Sequence, residues 1–94
     1  MTYQPLYQQY GQEFGTPAQV LQNMAQLEST ERADAVNQWD SNAKLGTPSG
    51  GIMQYIQPTY NQSLAEAQQA RPDIFGQWGK QDWMNPEAQI ALAS

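Results

Sequence analysis

The sequence predicts a mainly α fold. Three observations carry this: helix starts with proline at Thr16-Pro17 and Asn85-Pro86, apolar residues recurring three and four apart, and no convincing period-2 alternation. A short hairpin still fits within residues 33 to 50. The 94 residues read as one domain. A chain of this size buries roughly 60–65% of its unfolded surface, so the core is modest.

The elements follow in order. Tyr3, Tyr7, Tyr10 and Phe14 share a helical face, and Gly11 and Gly15 limit that element. In "TPAQVLQNMAQLES", Thr16 suits an N-cap, Pro17 the first helical position, and Gln19 completes a capping box. Val20, Leu21, Met24 and Leu27 then keep helical spacing. Residues 29 to 51 are rich in Asp, Asn, Ser and Gly and read as a long loop, of a length that is often functional. Residues 52 to 57 read as a short helix. Pro58 can begin the next, with Tyr60, Leu64 and Ala67 on one face, running to about Ala70. "RPDIFGQWGKQDWM" is broken by Pro72, Gly76 and Gly79. Asn85 caps a last helix, with Pro86 at its first position and Glu87 in its first turn.

Composition removes whole classes of chemistry. There is no cysteine and no histidine, which excludes disulfides, thiolate nucleophiles, serine–histidine catalysis and the usual zinc sites. Any catalysis must rest on carboxylates, hydroxyls, amides or lysine, and no metal or cofactor is expected. The net charge is −5, with Arg32, Lys44, Arg71 and Lys80 as the cations. That balance argues against nucleic acid, which needs a basic patch, and against anionic membrane surfaces. No apolar run approaches the ~20 residues that span a bilayer. "MTYQPLYQQY" lacks the basic and apolar regions of a signal peptide.

One carboxylate lies on an unexpected face. On a wheel at ~100° per residue with Val20 at zero, Met24 falls near ~40°, Leu27 near ~−20° and Leu21 near ~100°. Glu28 falls near ~80° on the same wheel, inside the apolar stripe. Burial there would disfavour the charged form, as a general acid requires. The alternative is an ordinary, half-exposed glutamate at a helix end, where the dipole acts in the same direction.

"ESTERADAVNQWDSNAKLGTPSGGIMQYIQPTYNQ" resembles the lytic transglycosylase domain of the goose-type lysozyme superfamily, closest to the versions in phage tail and tape-measure proteins. Glu28-Ser29 matches the catalytic Glu-Ser pair. Asn37, Trp39, Asp40, Ser41, Asn42 and Ala43 match the middle block, and Gly46 to Ser49 the next. Gly51, Ile52, Met53 and Gln54 match Gly-Leu-Met-Gln with one conservative change. The resemblance covers residues 14 to 94 and implies a small lysozyme-like helical domain.

The resemblance also implies an activity. The family cleaves the β-1,4 bond between N-acetylmuramic acid and N-acetylglucosamine in peptidoglycan. One glutamate, here Glu28, protonates the leaving oxygen and then acts as base while the muramic C6 hydroxyl attacks, giving a 1,6-anhydro sugar. An intramolecular nucleophile removes the need for the second carboxylate of the usual glycosidase scheme. Asp34 and Asp40 are the candidates for a hydrolytic outcome, although loop acids usually cap turns.

By the same carry-over, Gln54 hydrogen-bonds the sugar and Gly51 lets the backbone approach it. Ser29 holds the glutamate or a substrate group. Met53 forms wall or core, and Tyr60 lines the cleft or packs. Trp78 and Trp83 are candidate sugar-stacking faces, against an ordinary core role. The implied partners are a glycan strand and other phage tail proteins, and the implied location is the virion tail, acting on the cell wall.

Two departures stand beside the match. The family often follows Glu-Ser with Gly-Gly-Asn-Pro, where this chain has Thr30-Glu31-Arg32-Ala33. It also usually places a tyrosine against the glutamate after a final helix, a few residues beyond "QIALAS". The rival expectation is a non-catalytic structural or glycan-binding virion component that keeps the fold.

Overall fold

A computed structural model describes residues 3–94. Among them run six α-helices: α1 (Gln4–Phe14), α2 (Ala18–Ser29), α3 (Ser41–Lys44), α4 (Gln57–Ala70), α5 (Pro72–Phe75) and α6 (Pro86–Ala93). A 3-10 turn covers Lys80–Asp82. β1 (Val36–Asn37) pairs antiparallel with β2 (Ser49–Gly50), with Val36 opposite Gly50 and Asn37 opposite Ser49. The hairpin within 33 to 50 therefore exists, with α3 in its loop.

α1 packs against α2 on one side and α6 on the other, and α4 packs against α5 and α6. The aromatic spacing of α1 points Tyr7 and Tyr10 into the core, with Phe14 half-buried beside them. Tyr60 and Leu64 enter from α4, Phe75 from α5, and Ala88, Ile90 and Ala91 from α6. The helix α1 runs through Gly11, where a Cβ would meet the Thr16 carbonyl at 2.2 Å, so the position has no room for a side chain. It stops at Gly15, whose φ of +82° is left-handed. At the other end of the chain, Asn85 caps α6 as expected, its side-chain oxygen accepting from the Ala88 amide at 3.1 Å.

The capping box at Thr16 does not form. The hydroxyl of Thr16 donates instead to the Ser94 carbonyl (2.6 Å), and Gln19 donates to Asn23 (2.9 Å). A partner 78 positions away in sequence outcompetes the local cap.

The apolar stripe of α2 is also corrected. Leu21 and Ala25 are buried, whereas Val20, Met24 and Leu27 are exposed, Leu27 at 88%. The inward face reads Ala18, Leu21, Ala25 and Ser29. Three of these four residues are small, and Leu21 is the one large apolar side chain that α2 buries. The larger apolar residues are centred roughly 140° around the helix from that face.

Residues 52 to 57 are not a short helix. They form a turn over 51–54 followed by a bridge from Tyr55 to Gly50. Two left-handed residues, Gly51 (φ +86°) and Gln54 (φ +55°), prevent helical continuation. Helix α4 then begins at Gln57 with Pro58 in its first turn.

Candidate functional site

The site is a junction between the end of α2, the turn 51–54 and the start of α6. Glu28 lies in the last turn of α2 and is exposed. Of the two expectations for it, burial and an ordinary helix-end position, the exposed helix-end position is the one found, because the core face of α2 lies roughly 60–80° away on the wheel. Its carboxylate makes no hydrogen bond or ion pair within the described residues.

Ser29 is buried and fully engaged. Its hydroxyl donates to the Ile52 carbonyl at 2.7 Å, approaches the Ala25 carbonyl at 3.2 Å, and accepts from the Arg32 amide at 3.1 Å. The Glu28 carboxylate is not among the partners of Ser29. Its hydroxyl ties the turn that carries Gln54 to the end of α2.

After Ser29 the backbone does something unusual for its residue types. Thr30 (φ +52°) and Glu31 (φ +59°) are both left-handed, at the two positions where the resembled pattern has glycines. Each such residue costs about 1–2 kcal/mol relative to a right-handed one. Local bonds hold the turn. The Thr30 and Glu31 amides donate to Gln26 and Ala25 carbonyls (3.0 and 3.1 Å), and Tyr7 donates to the Glu31 carboxylate at 2.9 Å. Burial, followed by this carboxylate, pushes the Tyr7 hydroxyl well above its ordinary range.

Gln54 is half-buried. Its Nε2 donates to the carbonyls of Ala35 (3.1 Å) and Gly51 (2.8 Å). Its Oε1 carries no bond within the described residues, so it is the atom left to accept from a ligand.

The backbone approach expected at Gly51 is real, but its partner is internal. A Cβ at Gly51 would lie 2.3 Å from Nε2 of Gln89. At Gly50 it would lie 2.7 Å from the Met84 sulfur and 2.8 Å from the Trp83 ring. The double glycine thus admits side chains of the protein itself.

Several expected site residues are core. Met53 is buried, and its amide donates to Gln89 at 2.8 Å. Tyr60 is 0% exposed and donates to the Gly79 carbonyl at 2.9 Å. Trp78 is buried against Tyr10 and Phe75, so it offers no stacking face. Trp83 packs on Gly50 and donates its indole N–H to the Tyr55 carbonyl at 2.7 Å. Asp40 caps α3 through the Ala43 amide (2.7 Å) and accepts from Ser49 (3.1 Å). Asp34 is exposed and pairs with Arg32.

Sequence reasoning missed two residues. Gln89 is 0% exposed, inside the apolar run "AQIALA". Its signal was position, because a helix apolar on all sides is buried and a polar residue in it needs partners. Trp39 is 91% exposed on the hairpin loop, which a motif match alone does not reveal. Of three hollows among the described residues, one of about 570 Å³ is lined by Phe14, Ala67, Ala70, Phe75 and Leu92 among others. None of the three includes Glu28 or Gln54.

The chain is 54% identical over 41 residues to "Uncharacterized protein YqbO" of Bacillus subtilis (strain 168). The match covers 44% of this chain and 3% of that protein, so the matched stretch spans a small part of a much longer relative. No family model matches the chain. No solved structure matches it.

Proposed function

We propose that this chain is a peptidoglycan-cleaving module of the lytic transglycosylase type, with Glu28 as its general acid and base. One observation carries the reading. The Ser29 hydroxyl, adjacent to Glu28, bonds the Ile52 carbonyl at 2.7 Å, so a solvent-facing carboxylate and the turn bearing Gln54 form one mechanical unit. Among the described residues Glu28 has no hydrogen-bond or ion-pair partner, and the Oε1 of Gln54 is unbonded.

The chemistry needs little more from the protein. Glu28 donates its proton to the glycosidic oxygen as the bond to the anomeric carbon breaks. The resulting carboxylate takes the proton of the muramic C6 hydroxyl as that oxygen bonds the same carbon. Atoms balance with no water consumed, and the product is an anhydro sugar. The bound glycan, rather than protein, would exclude water from Glu28. A location in a phage tail, with action on the host wall, belongs to the same proposal.

A second reading is a non-catalytic glycan-binding or structural virion component. The open position of Glu28 favours it. Zymograms of wild type and Glu28→Gln separate the two. Clearing by wild type alone supports the enzyme, equal clearing by both removes Glu28 from the chemistry, and no clearing by either supports the second reading. Mass spectrometry of released products distinguishes anhydro from reducing ends.

A further inference from the structure

We propose that Gln89 is a positioning residue for Gln54. The inference rests on the reading of Gln54 as a glycan-binding amide, and it assigns the group that keeps that amide in place.

Gln89 projects from α6 into the turn that leads to Gln54. Its Oε1 accepts from the Met53 amide at 2.8 Å. Its Nε2 donates to the Gly50 carbonyl at 2.9 Å and the Trp83 carbonyl at 2.5 Å. One side chain therefore grips the backbone on both sides of Gly51 and Ile52. The grip is possible because Gly51 has no side chain.

The consequence reaches Gln54 through Gly51. The Gly51 carbonyl accepts both the Gln54 amide (3.1 Å) and the Gln54 side-chain Nε2 (2.8 Å). Its orientation depends on a left-handed φ of +86° between the two backbone points that Gln89 holds. Gln54 itself sits at φ +55°, a conformation uncommon for a glutamine. Removing the Gln89 amide leaves the Gly50 carbonyl and Met53 amide without these partners, and the turn has to reorganise to satisfy them. Gln54 would then lose its setting while Glu28, on α2, keeps its own.

A purely structural glutamine would also destabilise when removed, so the test must separate the roles. Gln89→Met keeps the length of the side chain and loses its polarity. Gln89→Glu keeps the acceptor for the Met53 amide and loses the amide donors, and it serves if Gln89→Met does not fold. Amide hydrogen exchange on the folded variant is the first readout. Protection should fall at Met53 and Gln54 while α1 and α4 keep theirs. Unchanged protection in the turn, or an equal fall throughout, would overturn the proposal.

The second readout is kcat and KM on solubilised glycan strands in a double-mutant cycle with Gln54→Ala. Misplacing a reacting geometry by about 1 Å costs on the order of 100-fold, so Gln89→Met should lower turnover by about that factor when Gln54 is present. It should add little in the Gln54→Ala background. Equal losses in both backgrounds would overturn the positioning role. If wild type does not cut glycan at all, the cleavage reading fails, and hydrogen exchange still decides whether Gln89 sets Gln54.

Discussion

The side chain of Gln89 occupies the space that a Cβ at Gly51 would need, its Nε2 only 2.3 Å from that position. Gly46 offers a matched contrast, because its φ is +83° and nothing lies within 4 Å of its Cβ position. Gly46→Ala should cost only the left-handed backbone term, about 1–2 kcal/mol. Gly51→Ala carries that same term and must also displace a buried, fully bonded amide. Urea unfolding of the two variants should show a loss at Gly51 at least ~1 kcal/mol larger. Equal losses would mean that Gln89 yields freely.

The turn after Ser29 is strained in a way that glycine would relieve. Thr30 adopts φ +52° and donates its hydroxyl to the Ser29 carbonyl at 2.6 Å. Thr30→Gly should be neutral to stabilising, by up to ~1 kcal/mol, because the lost left-handed penalty exceeds the lost hydroxyl bond and is only partly offset by backbone entropy. Thermal denaturation measures it. A clear destabilisation would show that the hydroxyl matters more than the backbone.

The reversed face of α2 gives a sharp contrast between two leucines. Leu21 is 0% exposed and Leu27 is 88% exposed. Leu21→Ala should cost about 2–5 kcal/mol. Leu27→Gln should change stability by no more than about 0.5 kcal/mol. Chemical denaturation of the pair checks this, and the opposite order would restore the face predicted from hydrophobicity.

Alkaline pH should unfold the protein through its buried phenols. Burial first, then the charge of Asp82, pushes the Tyr60 hydroxyl up to about 12. The native state keeps this proton where the unfolded chain has released it, above about pH 10. The contribution of Tyr60 is complete below pH 10 and is lost as pH rises toward 12, at up to about 1.4 kcal/mol per pH unit. Tyr7 and Tyr10 shift upward too, each also bonded to a carboxylate, and steepen the loss in the alkaline range. Tyr60→Phe loses the bond to Gly79, worth about 1 kcal/mol at neutral pH. It should also flatten the fall above pH 10 by one proton. A slope identical to wild type would contradict the assignment.

What the sequence made legible was local. Asn85-Pro86-Glu87 reads as a helix start because capping chemistry is complete within four residues, and α6 begins there. The face of Tyr60 and Leu64, and the end at Ala70, follow from spacing alone. The α2 stripe misled because the buried face holds Leu21 with the small residues Ala25 and Ser29, while the larger Val20, Met24 and Leu27 face solvent. Thr16 misled because its hydroxyl finds Ser94. The stretch 49–54 misled most usefully. Its glycines do mark a close approach and its glutamine does hold a special conformation, but the approaching group is Gln89, 38 positions from Gly51. No reading of spacing within 49–60 contains that residue.

The central claim is that Glu28 is the proton donor for glycan cleavage. Its most direct test is turbidity clearing of purified peptidoglycan by wild type and Glu28→Gln, with both shown folded by circular dichroism. Glu28 is exposed and unbonded, so the substitution should leave stability within about 0.5 kcal/mol. The prediction is clearing by wild type, with loss of a general acid costing about 10²–10⁴-fold in the variant. Clearing at equal rates by the two proteins would contradict it.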